Sequence, residues 1–142
     1  VMEIVTFKPK YLQQMTLQDA QKLTHSVAFD EEYCKQLVEA GPAYTVLRDG
    51  EPVMCAGLAE MWSGRFAAWA WLSEDAGRSM RTLTKMVDDY LNTRPYRRIE
   101  AYVDVRFRAG HRWAKMLQFE YEGLMRGFGT QGQDMVMYAR IQ

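Results

Sequence analysis

The 142-residue chain carries 18 basic and 18 acidic side chains, so its formal net charge at pH 7 is zero. Its 48% hydrophobic and 25% charged residues describe an ordinary globular protein, and the length suits one domain, residues 2–142, with Met2 read as the natural start. The charge balance argues against nucleic acid or a membrane surface as partner, although Arg94, Arg97 and Arg98 form a local basic group, as do Arg106, Arg108, His111 and Arg112.

Along the chain, Glu3 to Phe7 alternates and stops at Pro9, which predicts a first strand. Leu17, Ala20, Leu23, Val27 and Ala28 follow helical spacing; His25 falls among them and carries no signal. Asp30 is placed as an N-cap, with Glu31 and Glu32 in the first turn of a second helix that Gly41-Pro42 ends. Ala43 to Arg48 and Pro52 to Trp62 flank Asp49-Gly50, a strong hairpin signal, and Ser63-Gly64 turns the chain into a further strand, Phe66 to Leu72. Ser73 to Asn92 is the longest helical pattern. Ile99 to Val105 reads as a central strand, Trp113, Met116 and Leu117 as a short amphipathic helix, and Glu120 to Arg126 with Met135 to Ile141 as a last pair around Gly127, Gly129 and Gly132. The resulting order, β-α-α-β-β-β-α-β-α-β-β, predicts a mixed sheet with helices on both faces. Cys34 and Cys55 lie in different elements without metal-ligand spacing and read as small apolar side chains of a reducing compartment. No apolar run approaches the ~20 residues of a membrane span, and no signal-peptide pattern is seen, so the expected setting is cytoplasmic.

Two stretches sharpen the pattern. Glu74-Asp75-Ala76-Gly77-Arg78-Ser79 stands between the fourth strand and the long helix, and Leu117-Gln118-Phe119-Glu120-Tyr121-Glu122-Gly123 runs from the short helix into a strand. In element order and in these stretches the chain resembles the GNAT acyltransferase superfamily over nearly its whole length. The first stretch is similar to the family's Q/R-x-x-G-x-G/A signature, with Gly77 matching and Glu74 and Ser79 substituted. The second is similar to L-G-F-x-x-E-G, with Gln118 in place of glycine. Small GNAT-like proteins of short-tailed phages, among them an internal virion protein, are similar in length and in the erosion of this signature; that likeness would place the chain in a host cytoplasm or a virion.

The resemblance implies an α/β fold of about seven strands and four helices, with the fourth and fifth strands splayed at the centre, and acetyl-CoA as cofactor. Its pyrophosphate would rest on the turn formed by Ala76, Gly77, Arg78, Ser79, Met80 and Arg81. Backbone N–H groups at a helix start favour an anion, and a residue without Cβ lets the chain come close. Arg78 and Arg81 oppose the helix dipole unless an anion binds, at a cost of about 0.3–1 kcal/mol each; alternatively Glu74 and Asp75 satisfy them. The pantetheine arm would pair with strand backbone at Trp69 to Ser73, hence Trp71, Leu72 and Ser73, and at Tyr102 to Val105, with Phe107 and Arg108 toward the adenosine. Trp69 and Trp71 share one strand face and read equally as core packing.

Acyl transfer to an amine needs a base, a polarised thioester carbonyl and a proton donor near the sulfur. The family's frequent tyrosine and asparagine positions hold Ala114 and Phe107 here, and the fourth strand has no carboxylate. Glu60 is the first candidate base and Asp104 the second, while His111 is a candidate proton donor; Glu60 reads equally as a surface residue and His111 as an exposed helix-start histidine. No Ser-His-Asp order, metal-ligand cluster or P-loop supports a hydrolase or an NTPase. Two functions follow: an N-acetyltransferase acting on an amine of a small molecule or protein, or a catalytically silent GNAT-fold structural or host-interaction protein. The final hairpin is a candidate homodimer edge.

Overall fold

The computed structural model describes residues 1–19, 21 and 31–142. Seven strands form one mixed sheet: β1 (Met2–Thr6), β2 (Ala43–Arg48), β3 (Glu51–Trp62), β4 (Arg65–Leu72), β5 (Arg98–Asp104), β6 (Glu120–Met125) and β7 (Met135–Ile141), ordered β1-β2-β3-β4-β5-β7-β6. β4 and β5 run parallel, whereas β1–β2, β2–β3, β5–β7 and β6–β7 are antiparallel. Four α-helices lie among the described residues: α1 (Pro9–Gln14), α2 (Glu31–Ala40), α3 (Met80–Asn92) and α4 (Arg108–Met116). This is the mixed α/β architecture that the order of elements predicts. Asp30, His25 and the helical positions Ala20, Leu23, Val27 and Ala28 lie outside the described residues.

The chain divides into two compact units. The first holds Val1–Glu60 and Ala68–Arg78. Its β2–β3 hairpin turns at Asp49 and Gly50, with φ of 51° and 85°, the pair of positive values that lets a two-residue turn follow strand twist. Pro9 does not simply end β1. It opens α1, because a missing N–H costs nothing at a first helical position, and Leu12 is buried from that helix. Leu17, read as helical, forms an isolated bridge with Ser73. α2 buries Cys34 and Leu37, three residues apart on one face. Phe7, Leu12, Met15, Leu17, Cys34, Cys55 and Trp71 make the core, with Trp69 packed against it and edge-on to Phe7 at 5.5 Å. Both tryptophans are thus core residues of this unit.

The second unit holds Met61–Ala67 and Ser79–Gln142. Leu83 of α3 and Ile99 of β5 are each 0% exposed, and full burial of such a side chain contributes about 1.5–3 kcal/mol. Along β5, Ile99, Ala101 and Val103 share one face, and Gly110 of α4 sits close to Val103 and the Phe107 ring. Arg98, Glu100, Tyr102 and Asp104 take the opposite face. α4 is tied to α3 by Trp113 Nε1, which donates to Thr84 Oγ1 at 2.8 Å. α4 ends in a Schellman turn: Gln118 N–H donates to Lys115 O and Phe119 N–H to Ala114 O, both at 3.0 Å. In β6 a register shift between Tyr121 and Gly123 marks a bulge at Glu122.

The long helical pattern is shorter than its spacing predicts. α3 begins at Met80, behind a 3-10 turn at Ala76–Ser79. Ser73 and Glu74 spend their N–H groups on Val53 O and Thr16 O, at 3.0 and 2.7 Å, which anchors residues 73 and 74 outside the helix. Gly77, a weak helix former, follows.

Candidate functional site

In the first unit, Trp71 and Leu72 are buried, and the Ser73 hydroxyl donates to Asp75 Oδ1 at 2.7 Å. That bond, ahead of the nearby Arg48 and Arg78 guanidiniums, holds the Asp75 carboxyl below its ordinary range. Arg48 reaches Asp75 at 2.8 Å and Arg78 at 3.6 Å. Arg78 therefore has an internal counter-charge, the alternative that the sequence left open. Ala76 is buried. At Gly77 an added Cβ would meet nothing within 4 Å, so neither packing nor backbone conformation within the protein calls for glycine there. Glu60, at the exposed end of β3, stands on the surface.

The backbone of β4 shows a feature that sequence reading missed. Gln21 Nε2 donates to Ala70 O at 2.8 Å, and Leu72 N–H donates to Gln21 Oε1 at 2.7 Å. Gln18 N–H donates to Leu72 O at 3.1 Å. Part of the strand stretch that the resemblance gives to pantetheine is thus occupied from within the chain.

In the second unit, Ser79 is buried at 9% exposure and caps α3 without a side-chain hydrogen bond to the helix. Met80 is half-buried and Arg81 exposed. Phe107 occupies the N-cap of α4 and lays its ring against Gly110, while Arg108 is exposed. Asp104, the second candidate base, accepts from the Arg106 N–H at 2.9 Å and from its guanidinium at 2.9 and 3.0 Å. The Arg106 bonds keep its carboxyl below the ordinary range, which makes it a weak base.

His111 is not an exposed helix-start residue. It is half-buried, with Nδ1 2.8 Å from Tyr138 Oη and Nε2 3.2 Å from Val105 O. A carbonyl only accepts, so Nε2 donates to Val105 O, and Nδ1 is hydrogen-bonded to the tyrosine hydroxyl. Both nitrogens are engaged, and a proton-donor role requires one of these bonds to break.

Sequence reading also missed an ionic cluster centred on Glu100, 1% exposed. Arg65 donates to it at 2.6 and 2.9 Å, Arg98 Nε at 2.6 Å and Tyr102 Oη at 2.8 Å, while Arg98 also binds Glu122. The Arg65 bonds outweigh burial and hold the Glu100 carboxyl down at about 2. Burial, then the bond to Glu100, pushes the Tyr102 phenol up to about 12. The available signal was parity: Arg98, Glu100 and Tyr102 alternate along one strand face. Among the described residues no cluster of His, Cys, Asp and Glu fit to hold a metal ion is found, and no helix is long and apolar enough to cross a membrane.

The parallel β4–β5 ladder joins Arg65, Phe66 and Ala67 to Arg98, Ile99 and Glu100, and β5 pairs with β7 from Arg98 to Asp104.

No protein-family model matches the sequence, and comparison with curated proteins finds no match. Solved structures do match. The ribosomal-protein-S18-alanine N-acetyltransferase of Escherichia coli is similar at TM-score 0.75 and 16% identity, over 99% of this chain and 94% of that one. The microcin C7 self-immunity acetyltransferase MccE, solved with acetyl-CoA and AMP, is similar at TM-score 0.72 and 11% identity, over 99% and 92%. RimL, a ribosomal L7/L12 α-N-protein acetyltransferase solved with coenzyme A, is similar at TM-score 0.67 and 18% identity, over 99% and 93%. At these identities the likeness is one of architecture, and the architecture of this chain is that of the GNAT acetyltransferases.

Proposed function

We propose that this protein is an acetyl-CoA-dependent N-acetyltransferase that moves an acetyl group to an amine of a small molecule or protein. The observation that carries the reading is the seven-stranded mixed sheet in which β4 runs parallel to β5, an architecture similar to that of solved acetyltransferases. The pantetheine amides would pair with strand backbone along β4. The diphosphate would rest on the amides of the Ala76–Arg81 turn, where Gly77 leaves open space and Arg81 is exposed. MccE and RimL, solved with acetyl-CoA and coenzyme A, support the cofactor class by likeness of fold. The acceptor amine must lose a proton to attack the thioester carbonyl, and the freed thiolate must gain one. Glu60 is exposed, with room to exchange protons with solvent, whereas Asp104 and His111 would first have to give up present bonds.

These engaged side chains, with Ala114 and Phe107 at the family's tyrosine and asparagine positions, favour a second reading: a GNAT-fold protein without catalysis, serving as a structural or host-interaction part, in the phage setting or elsewhere. Thermal melting with acetyl-CoA separates the two. At 100 times the dissociation constant the cofactor stabilises by about 2.7 kcal/mol, and Gly77→Asp, which sets bulk and negative charge against the diphosphate, is expected to abolish the rise. Acetylation across a panel of amines then confirms turnover. A melt unmoved by millimolar acetyl-CoA, in both the wild-type chain and Gln21→Ala, would overturn the cofactor reading.

A further inference from the structure

One edge of β4 is closed by a side chain. Ser73 N–H points at Val53 O of β3, so strand alternation aims the backbone groups of Leu72 and Ala70 away from β3. At that edge the Gln21 carboxamide bonds both Ala70 O and Leu72 N–H. Only one orientation of the amide serves, because the carbonyl needs a donor and the N–H an acceptor. A side-chain amide held this way reproduces the peptide group that a neighbouring strand would supply. The preceding backbone fixes it in place: Gln18 N–H donates to Leu72 O, Gln21 N–H donates to Gln18 O at 2.9 Å, and Leu17 bridges Ser73.

We propose that Gln21 is an autoinhibitory plug, its carboxamide holding the Ala70 carbonyl and Leu72 N–H that a pantetheine amide of acyl-CoA would otherwise take. The proposal rests on the acyl-CoA reading given above. Ligand and side chain compete for the same two hydrogen bonds. Apparent affinity is then the intrinsic affinity reduced by the fraction of molecules in which the edge is open. A glutamine that merely satisfies a strand edge predicts something different: its removal lowers stability and leaves cofactor affinity unchanged or weaker.

Calorimetric titration of the full chain with acetyl-CoA and, separately, with ADP tests this, since ADP carries a diphosphate but no pantetheine. Gln21→Ala is expected to tighten acetyl-CoA binding by about tenfold, the scale of two net hydrogen bonds no longer displaced, with ADP binding changed by less than about twofold. Gln21→Glu keeps the side-chain length and the acceptor for Leu72 but loses the donor to Ala70, so it is expected to fall between; it carries the test if Gln21→Ala fails to fold. Unchanged or weaker acetyl-CoA binding in a folded variant of a chain that does bind acetyl-CoA overturns the plug and leaves the acyl-CoA reading standing. Equal tightening of ADP and acetyl-CoA also overturns it. No acetyl-CoA binding to wild type or to either variant overturns both.

Discussion

Arg65 donates to both carboxylate oxygens of Glu100, at 2.6 and 2.9 Å, beside the parallel ladder in which Ala67 stands opposite Glu100. The bond links the two strands across that ladder. Removing one partner of a buried ion pair costs about 3–5 kcal/mol, and Arg65 and Arg98 keep a fifth to a quarter of their side chains exposed, so Glu100→Gln is placed at the low end of that range. The folded carboxyl titrates near 2 instead of its ordinary 4.5. Its contribution is therefore complete above about pH 4.5 and fades as pH falls toward 2. Urea melts at pH 7, 4 and 2.5 are expected to show the wild-type advantage over Glu100→Gln shrinking at each step.

Gln118 holds φ of 67°, a left-handed backbone at the C′ position of α4, where the family signature has glycine. Its Nε2 donates to Asp88 Oδ1 at 3.0 Å on the surface, and Asp88 keeps Arg140 as a partner if that bond is lost. Gln118→Gly is expected to raise unfolding free energy by up to about 1 kcal/mol through relief of strain. Gln118→Val, β-branched at the same angle, is expected to lower it by at least about 1 kcal/mol. Denaturant titration of the pair checks the order.

Two glycines are expected to answer alanine differently. A Cβ on Gly41 would stand 2.1 Å from Leu58 O, whereas one on Gly77 meets nothing within 4 Å. Gly41→Ala is expected to cost roughly 2 kcal/mol or more, and Gly77→Ala to stay within about 0.5 kcal/mol of wild type. If the turn holds a diphosphate, Gly77→Ala weakens acetyl-CoA binding all the same. A melt and a binding isotherm on each variant separate packing from ligand contact.

Cys34 and Cys55 are both 0% exposed, and burial pushes the Cys55 thiol up to about 12 despite the Thr45 hydroxyl 3.4 Å away. A thiol that stays protonated does not react. Ellman's reagent at pH 8 is expected to find no fast-reacting thiol in the native protein and two after denaturation.

Strands were the most legible part of the chain, because alternation and the Asp49-Gly50 pair speak locally. The Phe119 stretch was legible as well, since a Schellman turn leaves its mark in a few adjacent residues. Pro9 misled because proline both ends strands and starts helices, and only the burial of Leu12 decides between them. The long helix was overextended because Ser73 to Asp75 suit a helix start and a turn equally; their bonds to Val53 and Thr16 come from residues distant in sequence. The Gln21 contact left no trace, since a glutamine in a polar stretch looks the same whether its amide meets water or a strand edge. The parity of Glu100 was readable, but not the two arginines that bury it, one of them 35 residues away.

The bulge in β6 has a consequence for how the molecule behaves in a crowd. β6 is a rim of the sheet, and a straight rim is a template on which other chains can add strands. The extra residue there is Glu122, which breaks the even spacing of the outer amides and places a charge bound to Arg98 beside them. Deleting Glu122 would straighten that rim and remove the charge together, leaving an even edge on which other copies could add strands and stack into fibrils.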